Sequence, residues 1–564
     1  MFPIKLQNLP KHITQRIAFK AAQWRKVGID EALPNISNPA WKMVNYLALC
    51  QSWRSYCIPL YCQDMTISLD RTFGSIEDTH YWLSTINDVM RLSGQQYTRN
   101  AHLHVPLSQV LNGVLPRLLS EPPYRDAIFP NVSVIWFKLY AGGEIKDTVG
   151  DDRCNEFIDV LVSQIQRMFP SARICSISSS VALAGDEKWA LKYCDVLFSK
   201  LMANSTGLKY YAASEHFVNT PVPLLAGLTR ITYFECENAS QFMQLICNNR
   251  ETLVVVSLEL TKPTTIVQMF AVDDQWLTFP RLERLDVDCQ EHGLESRVHA
   301  SGAPLFPSLK RLTFRHPYPF TNDAMFRGNY GKLEHLSLSL DSEDISSLLH
   351  AGVLKEGAFS ALRFVDLDVN LSQQQSVGEL AYGEQLCQML WHLAPTQEHL
   401  SVNLLGFAYK EAFVQAVQHK ELMGLLSFLS IGSMELDIWE TIRILSHVPT
   451  LSQLEINPKT IDINKPWYLQ NMTDARYVDD LVGWFHPLAP CLRHVLFDLG
   501  LYSDMEGAAH FAALLAILCP KVDCVRWGMH SAAFEKCCRA LADSATYAKY
   551  AGRLRFVDWS KGSC

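Results

Sequence analysis

The feature that most constrains this chain is a pattern that recurs from its middle onward: apolar, two variable residues, apolar, one variable residue, apolar. Clear copies are Leu282-x-x-Leu285-x-Val287, Leu309-x-x-Leu312-x-Phe314, Leu333-x-x-Leu336-x-Leu338 and Leu362-x-x-Val365-x-Leu367. Further copies begin at Leu228, Leu253, Leu426, Leu451 and Leu492, and looser ones at Val132, Ala172, Gln397, Val522 and Leu554. Phe129-Pro130, Phe169-Pro170, Phe279-Pro280 and Phe306-Pro307 each stand just before a copy, as does Cys519-Pro520 late in the chain. One short match is weak, because any half-buried strand produces it. A shared lead-in held in one phase is much harder to obtain by chance. Alternation at the last two apolar sites is the period of a strand with one buried face.

Between copies lie stretches with apolar residues three and four apart, as at Ile345–Leu354, Gly378–Leu393, Ile438–His447 and Phe511–Leu518. Pro395, Pro449 and Pro520 end such stretches, since proline cannot continue a helix. One strand and one helix per unit predicts an α/β fold with parallel strands inside a curve and helices outside. A single unit cannot bury its own faces, whereas a stack can. Length agrees: 564 residues exceed what one compact core encloses. Met65–Leu69 and His102–Val105 read as early, atypical turns of the same array.

This pattern resembles the leucine-rich-repeat family, whose fuller consensus continues to an Asn or Cys at the turn after the strand. Cys236 and Asn370 occupy that offset, and most other copies lack it. Spacing runs from 24 residues (Leu309 to Leu333) to 41 (Leu451 to Leu492), so the resemblance is to an irregular, degenerate array. It implies a leucine-rich-repeat solenoid, strands concave and helices convex, over residues 126–564, with atypical first repeats or a linker at 63–125.

Residues 1–62 differ: they show three expected helices and no repeat. Leu9-Pro10 precedes apolar Ile13, Ile17 and Ala21, with proline at an expected helix start. Pro34 to Pro39 reads as a loop, and Met43–Leu49 leads into Cys50-Gln51-Ser52-Trp53-Arg54. Leu9-Pro10, Ile13, Ile17, Leu47-Ala48-Leu49-Cys50 and Trp53-Arg54 resemble an F-box, a three-helix motif that opens Leu-Pro and closes in a Cys-x-x-Trp-Arg run. The resemblance implies an Skp1-binding head, with Leu9, Pro10, Ile13, Ile17, Leu47, Leu49 and Trp53 forming or supporting the adaptor surface. The repeat face would then hold a target protein for an Skp1–cullin–F-box ubiquitin ligase. The alternative is a head that only caps the array of a protein-binding scaffold with no ligase link.

Residues two, four and six places after the first leucine point away from the core. They are Arg284, Asp286, Asp288; Arg311, Thr313, Arg315; His335, Ser337, Ser339; Phe364, Asp366, Asp368; His399, Ser401, Asn403; and Phe428, Ser430, Gly432. Acidic rungs therefore flank a basic one, and His335, Phe364, His399 and Phe428 form one column. Aromatics beside charges suit a protein or peptide partner; an ordinary solvated sheet face is the plainer reading for any one of them. Arg284, Arg311 and Arg315 are the residues from which a phosphate site could be built, but Asp286 and Asp288 argue against a strongly anionic ligand.

Other chemistry is not expected. A formal charge of −8 offers no basic footprint for nucleic acid or a membrane surface. No H-E-x-x-H, G-x-S-x-G, G-x-x-x-x-G-K-S/T or G-x-G-x-x-G occurs, so no catalytic residue, metal or cofactor is expected. Glu334-His335 and Glu398-His399 fall at the variable repeat positions. Gly142-Gly143-Glu144 reads as a turn, and Asp151-Asp152 and Asp273-Asp274 as acidic loop or cap positions. Sixteen scattered cysteines without a C-x-x-C read as free, mostly buried thiols; Cys50, Cys57 and Cys62 form the one loose cluster. With 48% hydrophobic residues, an N-terminus Met1-Phe2-Pro3-Ile4-Lys5 unlike a secretion signal and no long apolar run, a cytoplasmic or nuclear protein is expected. The sequons at Asn35, Asn131, Asn204, Asn238, Asn370 and Asn471 then read as chance matches.

Overall fold

A computed structural model describes residues 58–59, 62–68, 84–140, 150–179, 188–203, 209–214, 226–236, 239–260, 270–272, 275–289, 305–315, 330–340, 359–370, 398–405, 426–458, 475–485, 487–497, 505–522, 524–527 and 555–558, with single helical residues near 385–393, 413–417 and 536–540. The expected head and its residues Leu9, Pro10, Ile13, Ile17, Leu47, Leu49 and Trp53 lie outside them, as do Cys50, Cys57, Gly142–Glu144, Asp273-Asp274 and the expected helix Ile345–Leu354. Two compact units divide the chain at Leu253 and Val254.

Both units are mixed α/β and are built on parallel strands taken in chain order. In the first, β1 (Asp64–Ser68), β2 (Asn100–Pro106), β3 (Val134–Tyr140), β4 (Arg173–Ser179), β5 (Tyr210–Ser214) and β6 (Arg230–Cys236) each pair with the next. Between them run α1 (Ser84–Arg91), α2 (Leu107–Leu111), α3 (Val114–Ser120), α4 (Asp151–Met168), α5 (Lys188–Ala203) and, after β6, α6 (Ala239–Asn248). Parallel neighbours require such crossovers. Gly113, at φ 72°, turns the chain between α2 and α3, where an added Cβ would stand 2.5 Å from the Phe157 ring. The Asp151-Asp152 pair opens α4, the favourable end of a helix for carboxylates, and Asp151 also accepts hydrogen bonds from Lys192 and Tyr193 of α5.

In the second unit, β7 (Val255–Leu260) pairs with β10 (Arg284–Cys289), a small antiparallel pair of β8 (Ala271–Val272) and β9 (Gln275–Trp276) lying between them in sequence. The parallel order then continues through β11 (Arg311–Arg315), β12 (His335–Leu340), β13 (Phe364–Asn370), β14 (His399–Leu405), β15 (Phe428–Leu436), β16 (Gln453–Pro458), β17 (His494–Phe497), β18 (Cys524–Trp527) and β19 (Arg555–Asp558). Helices described in it include α7 (Ile438–Leu445), α8 (Ala475–Phe485) and α9 (Met505–Leu518). A reciprocal cap starts α7: the Glu440 amide donates to Asp437 Oδ1 at 2.8 Å, and the Asp437 amide donates to Glu440 Oε2 at 2.7 Å. The α9 helix is buried all round from Ala508 to Leu518, its alanines allowing close approach on every side. No helix among the described residues is long and apolar enough to cross a membrane.

Where a proline stands in the lead-in, the described residues form a closed turn at seven places. The phenylalanine carbonyl of each Phe-Pro lead-in accepts the amide three residues on: Phe129 from Val132 at 3.3 Å, Phe169 from Ala172 at 3.1 Å, Phe279 from Leu282 at 3.3 Å and Phe306 from Leu309 at 3.1 Å. Val448-Pro449-Thr450-Leu451, Ala489-Pro490-Cys491-Leu492 and Cys519-Pro520-Lys521-Val522 close the same way at 3.2, 2.9 and 3.0 Å. Proline presets the second position of such a turn and has no amide to leave unpaired there. The phenylalanine is core as well as turn. Phe129, Phe169, Phe279 and Phe306 are buried, and Phe270 meets Phe279 and Phe306 edge-on, each at 5.3 Å between centroids.

After the turn, burial alternates as the sequence pattern requires, with Leu336, Leu338 and Leu340 of β12 buried and His335, Ser337 and Ser339 partly exposed. Two strands depart from the simple pattern. In β4 the register shifts after Ile174, which is buried opposite Ile135, so Cys175 is an extra residue. In β15 it shifts between Ile431 and Glu435, so Gly432 does not continue the outward column expected of it, and Glu435 pairs opposite Asn457 instead. Cys62, Cys154, Cys194, Cys519 and Cys524 are buried.

If the Phe270–Phe279–Phe306 cluster holds successive turns together, Phe279→Ala should destabilise the second unit by about 3–5 kcal/mol. Trp484→Ala, at a site 71% exposed, should cost under about 0.5 kcal/mol. Urea unfolding of both variants checks this, and equal costs would remove the cluster from that role.

Candidate protein-interaction face

The outward side chains are held in line by the backbone at the start of each strand. The Glu283 carbonyl accepts the amides of both Lys310 and Arg311, each at 2.9 Å. Lys310, Glu334, Arg363, Glu398, Ser427 and Ser452 repeat the arrangement, each accepting two amides from the following strand's start. Strand after strand therefore begins at the same level. The first outward position forms a column Arg284, Arg311, His335, Phe364, His399, Phe428, Gln453, His494 across paired residues. The second runs Asp286, Thr313, Ser337, Asp366, Ser401, Ser430, Glu455. The third places Asp288 opposite Arg315, and Asp368 between Ser339 and Asn403.

Every face residue expected from the sequence thus lies on a strand of the second unit, but they form two different neighbourhoods. On β10 and β11 the charges are mixed: Arg284 Nε donates to Asp286 Oδ2 at 2.7 Å along one strand, and Arg311 and Arg315 stand opposite Arg284 and Asp288. On β12 to β15 the first column is a stack of rings. Centroids are 5.9 Å apart for His335 and Phe364, 5.6 Å for Phe364 and His399, and 4.1 Å for His399 and Phe428, the last pair inclined by only 5°. Phe364 remains 40% exposed.

Asp366 sits two residues along from Phe364, between the two imidazoles. His335 Nε2 lies 3.4 Å from its Oδ2, and His399 Nε2 lies 3.4 Å from its Oδ1. Partial burial disfavours the charged form of His335 more than Asp366 favours it, and Arg311, His399 and Arg284 act in the same direction as burial, so its pKa is held below the ordinary value. Its ring is therefore neutral at pH 7. Each imidazole addresses a different carboxylate oxygen from opposite sides, and among the described residues no three His, Cys, Asp or Glu side chains are grouped to hold a metal ion. Glu334 and Glu398 lie just before their strands, their carbonyls accepting the next unit's amides, and Glu398 stands 3.9 Å from Arg363. That placement is structural.

The first unit carries outward rings of its own. His102 stacks on Trp136 at 4.4 Å with an 11° tilt, and the Arg230 guanidinium lies 4.8 Å from the centre of the Tyr210 ring. Trp136 stands four places after Val132, the offset that marks outward positions in the later copies, so the same rule finds it. Tyr210 is harder to find, because the buried residue beside it is Tyr211, where the clear copies have leucine or valine. Beside His102, His104 is held down to about 4 by burial first, then by Lys138 and His102.

For a histidine whose folded pKa lies below 6.5, the unfolded chain takes up the proton first, so stability is lost as pH falls from about 6.5 toward the folded value. Taking pH from 7 to 5 should cost the first unit about 1–2 kcal/mol through His104, and His335 should act in the same direction on the second. Urea midpoints at the two pH values for the native chain and His104→Asn measure it. An unchanged pH response in the variant would rule out this origin.

No protein-family model matches the chain, and no curated protein matches it in sequence.

Proposed function

We propose that this protein is a leucine-rich-repeat solenoid that binds a target protein on its sheet face and an Skp1-type adaptor through residues 1–62, serving as the substrate receptor of an Skp1–cullin–F-box ubiquitin ligase. One observation carries the target-binding part: the ring ladder His335, Phe364, His399, Phe428 with Asp366 against it, set on paired strands. An exposed phenylalanine between aromatic neighbours on rigid backbone supplies contact area with little ordering cost, as binding hot spots do. The ligase part rests on Leu9-Pro10, Ile13, Ile17, Leu47, Leu49 and Cys50-Gln51-Ser52-Trp53-Arg54. In this reading the chain performs no chemistry. It holds target and ligase together and so raises the effective concentration of one at the other.

Purified full-length chain should capture purified Skp1, and deletion of residues 1–62 should abolish capture. Leu9→Asp with Pro10→Asp should weaken it by about 30-fold or more while circular dichroism shows the repeats still folded. A folded full-length chain that captures no Skp1 would leave a protein-binding repeat scaffold whose head is a cap.

A further inference from the structure

The sheet face is not uniform in charge, and the difference bears on what it can bind. On β10 and β11, the outward positions mix Arg284, Asp286 and Asp288 with Arg311 and Arg315. From β12 to β16 the paired outward positions carry Asp366, Asp368 and Glu455, joined by exposed Glu435 where β15 shifts register, and none of the described ones is Lys or Arg. The nearest cation on these strands, Arg363, precedes Phe364 at the strand's start and lies 3.9 Å from Glu398. Glu455 Oε2 accepts from Ser430 at 2.9 Å, which fixes this carboxylate beside the Phe428 end of the ladder.

We propose that the β12–β16 part of the face binds an extended, arginine-bearing segment of the partner protein, its arginine stems lying along the outward edges of the Phe364, His399 and Phe428 rings and its guanidinium groups against the carboxylates of Asp366, Asp368 and Glu455. This names the partner's chemistry for the target-binding role and rests on that reading. The rings are stacked on one another, so their edges face outward and offer apolar surface to the alkyl stems, while the flat guanidinium pairs with a carboxylate through two parallel hydrogen bonds. The rings supply the platform and the acids the charge. His335, neutral at pH 7, does not oppose a cation there. Size fits as well: strands about 4.8 Å apart put His335 and Phe428 about 14 Å from each other, the reach of four or five extended residues. Alternate side chains of such a segment would meet the face about 7 Å apart.

The test titrates the full chain with a labelled octapeptide of alternating serine and arginine. Matched peptides carry citrulline, the neutral isostere, or glutamate in place of arginine. The arginine peptide should bind at least tenfold more tightly than the citrulline peptide, and the glutamate peptide should not bind. Phe364→Ala should weaken binding about three- to fivefold through lost packing of the stems, and Asp366→Asn with Asp368→Asn about tenfold. Arg311→Gln, which removes a like charge beside the ladder, should tighten it about twofold, an outcome that misfolding cannot imitate. Asp479→Asn with Asp480→Asn on α8 should change nothing. Equal affinity for arginine and citrulline peptides overturns the proposal. So does a loss from the α8 variant as large as from the face variant, which would mean only general attraction to an acidic protein. Skp1 capture is read on the same preparation, so a chain that captures the adaptor but ignores the peptide loses the partner class and keeps the receptor role.

Discussion

What the rest of this structure depends on is a shared acceptor: at the start of strand after strand, one backbone carbonyl takes two amide hydrogens from the next unit. These bonds fix the level at which successive strands begin. Side chains on a strand alternate between faces, so a slip of one residue would put Leu336 or Val365 into solvent and His335 or Phe364 into the core. The apolar cost of that exchange and the paired amides therefore specify the same register. The ring ladder and the carboxylates beside it exist only because that register is kept over many strands.

Before β3, β4, β10, β11, β16, β17 and β18 a proline turn sets the phase locally. A Phe-Pro-x-Leu turn places a buried aromatic, a residue with no amide to satisfy and the first inward leucine in one four-residue device. Once phase and level are fixed at the strand's start, the connection to the next strand can vary in length. Intervals between copies run from 24 to 41 residues without disturbing the pairing. Lengthening a connection costs entropy only logarithmically, whereas breaking the ladder would leave buried amides unpaired. Outward positions, under no packing constraint, are free to carry charge and rings.

The residues also show where a sequence reading reaches and where it stops. Leu309, Leu312 and Phe314 announce β11 because a half-buried strand needs that alternation, and the same count marks Arg311 and Arg315 as outward positions. β5 escapes notice because Tyr211 stands at its buried position, and tyrosine occurs as readily elsewhere. The shifts at Cys175 and Gly432 could not be read either, since an extra residue in a strand is tolerated by local geometry and decided by the neighbour it pairs with. Asn249 is similar. It is buried, accepts from the Leu228 amide at 2.9 Å and donates to the Leu245 carbonyl at 2.8 Å, yet an asparagine after an apolar helix looks like an ordinary helix end.

By itself the sequence determined the alternation, the phase of most strands and hence which side chains face outward on them, because all three arise from covalent geometry and the burial of leucine and phenylalanine within a few residues. Only the tertiary structure decided how those side chains meet. His335, Phe364, His399 and Phe428 are about thirty residues apart in the chain, and irregular intervals leave their mutual level undetermined until the long-range amide bonds form. The stack of four rings, the carboxylate of Asp366 reached by two imidazoles and the gathering of acids away from the arginines of β10 and β11 are consequences of pairing between distant segments.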